Sequence, residues 1–165
     1  MEKLVYVCWK RDGVSDGDWS HSVVHDLVPA LHAAGARGVR VTVPDEHTDA
    51  LRATAIANHE PRLSGTVSVW LPACDDRSPV EEALSLHCAS AAGYVVAESA
   101  VLDDGHALST PGDLHPAIDL QGFLTPAAGM SHDEFVEHWF EEHRAVALET
   151  ECVTSYERNL VARRL

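Results

Sequence analysis

Between Lys3 and Leu102 the chain switches repeatedly between two hydrophobic periods, and the order of the switches leaves few ways to fold. KLVYVCW (3–9) is a β-branched and aromatic run that stops at Lys10-Arg11-Asp12-Gly13, the mark of a buried strand. Ser15 then caps a helix, with Asp18 in its first turn and Trp19, Val23, Leu27 and Leu31 recurring every fourth residue. Gly35 ends this helix, and Pro29, inside the pattern, predicts a kink. GVRVTV (38–43) reads as a second strand. GTVSVWL (65–71) reads as a third, with Val67, Val69 and Leu71 on one face and Thr66, Ser68 and Trp70 on the other. Pro79 opens a second helix, PVEEALSLHCASA, which Gly93 is expected to stop, and YVVAESAVL (94–102) supplies a fourth strand. The resulting order, βαββαβ, predicts an α+β, ferredoxin-like unit over residues 1–102.

Residues 103–118 are rich in Asp, Gly, Pro, Ser and His without periodicity, and read as a linker. A new pattern then starts over 119–165. LQGFLTP (120–126) reads as a strand, Ser131 to about Glu151 as a helix, and TSYERNLVARRL as a closing strand. A shift of 116 residues superposes the two halves: Gly13 falls on Gly129, Ser15 on Ser131, Trp19 on Phe135, Val23 on Trp139 and Leu27 on His143. The second copy supplies only β, α and β, which leaves a sheet edge and an apolar face open. It must pack on the first copy, dimerise or belong to a longer protein. The expectation is a homodimer of a shortened form.

The chemistry concentrates in GMSHDEFVEHWFEEHRAVALE (129–149). Ser131 and Glu134 have the spacing of a capping box. Beyond them Phe135, Trp139, His143 and Val146 recur every three or four residues, so one helix face carries two aromatic rings and a histidine. A histidine there is costly unless its ring nitrogens find partners.

Ser131, Glu134, Phe135, Trp139 and His143 read as S-x-x-E-F-x-x-x-W-x-x-x-H, and in this the chain resembles the EthD family of the dimeric α/β-barrel group. The first helix resembles a degenerate copy that keeps Trp19. The resemblance implies a pocket between sheet and helices and a cofactor-free enzyme, of cyclase or dehydratase type, acting on an aromatic or polyketide-like compound. It further implies that His143 is a general base. A histidine suits that task because its unperturbed pKa lies near neutrality. Trp139 and Phe135 would then form an apolar wall, with Tyr156 as a catalytic partner and Asn159 as a binding group on the last strand. Two alternatives stand beside this. In one the protein is a binding or assembly module in which His143, Trp139 and Phe135 only pack. In the other it is a cofactor-independent monooxygenase.

Other features narrow the classes. Twelve basic against 26 acidic residues give a formal charge of −14, which repels phosphate backbones and anionic lipid, so neither nucleic acid nor membrane is an expected partner. His21 and His25 stand one helical turn apart with His32 further along, but no matching second cluster completes a ligand set, and no metal is expected. His138 and His143 diverge by about 140° round a 3.6-residue helix and do not chelate together. Asp133, Glu134, Glu137, Glu141 and Glu142 read as a solvated flank, and Arg158, Arg163 and Arg164 as a solvated strand end. No phosphate loop, dinucleotide fingerprint or nucleophile elbow is present. Four scattered cysteines without a CxxC pair, no signal sequence and no bilayer-length apolar run predict a cytoplasmic protein.

Overall fold

The computed structural model of the chain describes residues 1–48, 60–102, 118–150 and 153–165. Two compact units emerge, one made of Met1–Ser99 with Asn159–Leu165 and one of Ala100–Arg158. Along the chain lie β1 (Glu2–Trp9), α1 (Asp16–Ser22), α2 (Val28–Ala33), β2 (Gly38–Thr42), β3 (Gly65–Leu71), α3 (Ser78–His87) and β4 (Ser90–Leu102). After these come α4 (His132–His138), α5 (Arg144–Thr150) and β5 (Tyr156–Arg164).

The five strands form one sheet in the order β2-β3-β1-β4-β5. β1 lies between β3 and β4 and is antiparallel to both, with Leu4 opposite Val69 on one side and Tyr6 opposite Gly93 on the other. β2 closes the far edge, antiparallel to β3. The first four strands with their two helices make a ferredoxin-like βαββαβ unit, and the fold is α+β. On the opposite edge the backbone N–H of Leu165 donates to Gly93 O at 2.9 Å.

Strand alternation sets the core. Leu4, Tyr6 and Cys8 of β1 and Val67, Val69 and Leu71 of β3 are buried on one sheet face. Trp19, Val23, Leu27 and Leu31 are buried in the same cluster, as are Val80 and Leu84 of α3. Each such side chain contributes about 1.5–3 kcal/mol by leaving water. The other sheet face is amphipathic. There the Lys3 ammonium lies 4.8 Å from the Trp70 ring centre and 3.3 Å from a Glu98 carboxylate oxygen.

The helix between β1 and β2 is capped by Ser15, whose Oγ accepts from Asp18 N–H at 3.0 Å, and it ends before Gly35 at φ +102°. Its irregularity is a π turn over Val23–Leu27, in which Val28 N–H donates to Val23 O. The kink expected at Pro29 is therefore a widened turn placed ahead of the proline. Proline is not required for such a turn, because α4 and α5 flank a second π turn at Trp139–His143, where the residue equivalent to Pro29 is Ala145. The physical reason lies in the spacing. Apolar residues every fourth position drift about 40° per step round a 3.6-residue helix, and an i→i+5 turn takes up that drift.

Two further expectations are corrected. Gly93 does not stop α3, which ends at His87, with Cys88 already extended; the glycine lies inside β4 against the ring of Tyr6. Leu120–Pro126 forms no strand, and Leu120 is 88% exposed. A strand needs neighbours on its edges, and among the described residues the second copy contains no counterpart of β3 or β4 for this segment to pair with. The expected linker falls, except for Ile118, outside the described residues.

Within the second unit the 116-residue repeat extends to backbone detail. Gly129 takes φ +87° where Gly13 takes +79°. Ser131 caps as Ser15 does, and both π turns occupy equivalent positions.

Candidate functional site

The second unit builds its site on one helix and the start of one strand. Ser131 Oγ accepts from Glu134 N–H at 3.2 Å, while the Glu134 carboxylate accepts from Ser131 N–H at 2.8 Å. This reciprocal cap fixes where the helix begins. It also holds the Glu134 carboxyl below its usual value, through the hydrogen bonds from the Ser131 hydroxyl and backbone. One turn later Phe135 and Trp139 stack with ring centres 5.8 Å apart and planes at 29°. The adjacent Phe140 meets Trp139 edge-on at 5.6 Å. All three rings are half-buried, so together they form an aromatic shelf with solvent access.

His143 closes the π turn and is exposed. Its Nδ1 stands 3.5 Å from the Tyr156 hydroxyl, at the outer limit of a hydrogen bond. The two groups expected to handle protons are thus neighbours. The widened turn also changes the fourth member of the stripe. Val146, expected beside His143, is 58% exposed, whereas Ala147 is 1% exposed. Asn159 is half-buried, and it lies three residues from Tyr156 on β5. Odd spacing sends the two side chains to opposite faces of that strand, which separates Asn159 from the direction Tyr156 takes.

Arg158 replaces it. Expected as part of a solvated strand end, it is 7% exposed. Its guanidinium carbon lies 3.9 Å from the Phe140 ring centre, and Nη1 donates to Phe140 O at 3.3 Å. The signal was legible in the alternation: Tyr156 and Arg158 are two apart and share a face. The site therefore offers a stacking surface, a histidine–phenol pair and a cation held against a ring.

His21 and His25 have ring centres 4.3 Å apart, and among the described residues no group of three metal-ligating side chains forms. His138 pairs with Glu142 at 2.9 Å, away from His143. No helix among the described residues is long and apolar enough to cross a membrane.

A cavity of about 280 Å³ lies in the first unit, lined by Tyr6, Glu81, Leu84, Cys88, Gly93 and Leu165 among others. The Tyr6 hydroxyl donates to Glu81 at 3.4 Å, and the same carboxylate accepts from Arg77 Nε at 3.0 Å. Sequence reading missed this cavity because its walls come from elements distant in the chain.

No family model matches the chain, and no curated protein matches it in sequence.

Proposed function

We propose that the chain is an EthD-like, cofactor-free enzyme that binds a flat aromatic or polyketide-like compound and moves a proton on it. The observation that carries this reading is the approach of Tyr156 Oη to His143 Nδ1 at 3.5 Å, one turn from the Phe135–Trp139 stack. In this mechanism the shelf stacks the substrate ring and His143 removes a proton beside a carbonyl. Tyr156 holds the imidazole and donates to the enolate oxygen, and cyclisation or elimination follows. Acid–base help of this kind is worth about a hundred- to ten-thousandfold in rate. Arg158 steadies the shelf through Phe140 and adds positive charge where an enolate would develop. A reducing, cytoplasmic setting belongs to the same reading, since Cys8, Cys74 and Cys88 are free thiols.

A second reading, an assembly module working as a homodimer, is favoured by one observation. Ile118, Leu120, Phe123 and Leu124 expose 52–88% of their surface in the segment that repeats β1. Single exposed apolar residues need no partner, but four within seven positions mark a surface to be covered. In a homodimer this segment would find the strand neighbours that the second copy lacks.

One experiment separates the two. Wild type, His143→Ala and Tyr156→Phe are screened by thermal shift and turnover against aromatic and polyketide-like compounds, with mass measured by sedimentation. The enzyme reading expects a stabilising compound whose turnover falls at least about a hundredfold in His143→Ala. If no compound shifts the wild type and the protein sediments as a dimer, the assembly reading replaces it.

A further inference from the structure

The cavity of about 280 Å³ belongs wholly to the first unit, and its walls follow from helix and strand periodicity. Glu81, Leu84 and Ser85 stand three and four positions apart, so they share one face of α3. Ala91 and Gly93 are two apart and share one face of β4. Tyr6, opposite Gly93 on β1, and Leu165, whose N–H donates to Gly93 O, complete the lining.

The polar groups inside it have an order. The Tyr6 hydroxyl, on a residue 2% exposed, donates to Glu81 Oε1 at 3.4 Å. Arg77 Nε, four positions before Glu81, donates to the same oxygen at 3.0 Å. A surface ion pair at the start of α3 therefore accounts for Oε1 alone. Glu81 Oε2 has no partner among the described residues, and the phenol oxygen, having given its own hydrogen, keeps lone pairs that can accept. Two acceptors thus stand on adjoining groups with no donor between them.

Charge and size narrow what fits there. The lining side chains include one carboxylate and no lysine, arginine or histidine, and Arg77 is outside the lining. The formal charge of −14 adds a field that concentrates cations and disfavours anions. The volume lies just under the range of about 300–1,000 Å³ that drug-sized ligands occupy, so the occupant has only a few carbons.

We propose that this cavity binds a small primary alkylamine as its ammonium ion, with the nitrogen between Glu81 Oε2 and Tyr6 Oη and the alkyl chain against Leu84 and Leu165. An ammonium has three donors. Two meet these acceptors, and the third stays with water at the mouth, where Ser85 and Ser90 are exposed. An alcohol of the same length has one donor and leaves an acceptor unmet, while a carboxylate has none and meets the Glu81 charge. The site shares no residue with the Phe135–Trp139 shelf, so it stands or falls apart from the proton-transfer reading.

The test titrates the full, isotope-labelled chain at pH 7 with n-butylammonium, 1-butanol and butanoate while its methyl and amide resonances are followed. Salt at about 0.15 M screens diffuse attraction to the acidic surface. The expected result is a saturable shift at the Leu84 and Leu165 methyls and the Gly93 amide with n-butylammonium, and none with butanoate. Binding of 1-butanol is expected to be at least about tenfold weaker, as is binding of n-butylammonium to Glu81→Gln. No saturable shift at those groups, or shifts scattered over the acidic surface with Leu84 and Leu165 unmoved, overturns the proposal. So does 1-butanol binding as tightly as the ammonium, or Glu81→Gln binding as well as the wild type. If Glu81→Gln fails to fold, the ranking of the three probes on the wild type decides the matter.

Discussion

Tyr6 and Gly93 face each other across the β1–β4 ladder, and the tyrosine ring fills the space a side chain at 93 would need. A β-carbon on residue 93 would lie 2.7 Å from Tyr6 Cε1 and 3.2 Å from Leu165 Cδ1. Neither neighbour is a free surface group, since Tyr6 is in the core. Gly93→Ala is therefore expected to cost about 1–3 kcal/mol, as overpacking does, read as a lower urea midpoint at unchanged slope. Gly65→Ala should cost more, because its β-carbon meets the backbone carbonyl of Thr42 as well as the Trp19 ring, and β2 would have to leave β3. Gly122→Ala meets nothing within 4 Å and should shift stability by no more than about 0.5 kcal/mol.

The π turn between α4 and α5 makes a prediction that a plain α-helix would not. With Ala147 1% exposed and Val146 58% exposed, Ala147→Leu overpacks and should destabilise by about 1–3 kcal/mol, while Val146→Ser should be close to neutral. Thermal unfolding of the two variants checks it. The reverse ranking would mean that the helix continues in α register.

How much of this was legible in the sequence follows the range of each interaction. Ser15 with Asp18 and Ser131 with Glu134 are local, and the caps stand where the spacing puts them. The strands around Leu4, Val67 and Val69 were legible because alternation repeats over several residues. The π turns were not: a stripe at Trp19, Val23, Leu27 and Leu31 is compatible with a drifting α-helix until the burial of Ala147 shows the register of the second copy. Leu120–Pro126 has strand composition, but strand formation depends on partners elsewhere in the chain. The same holds for the burial of Arg158, where nothing local marks the neighbour.

Acid should loosen the start of α4, which the Ser131–Glu134 cap holds. Glu134 is held below its ordinary 4.5 by the Ser131 hydroxyl and backbone N–H, so its contribution is present above the unfolded value. That contribution is lost as pH falls below about 4.5 through the lower folded value. Amide exchange in residues 131–135 should accelerate over that window. Glu134→Gln keeps the side-chain oxygen as an acceptor but removes the titration, and should flatten the response. An unchanged pH profile in this variant would assign the loosening to another group.

Alkali should act through Tyr6. Burial, followed by the nearby Glu81 carboxylate, pushes its phenol well above the ordinary value of 10. The folded state thus holds a proton that the unfolded chain gives up. The stabilisation is complete below pH 10 and declines as pH rises from there towards the folded value. In a spectroscopic titration of the three tyrosines, one phenol should stay protonated until the protein unfolds. Tyr6→Phe should remove that late step and weaken the fall in stability above pH 10. Glu81→Gln should bring the late phenol down without abolishing the delay, because burial is the larger of the two causes. If Glu81→Gln returned the phenol fully to its ordinary value, charge rather than burial would be what keeps Tyr6 protonated.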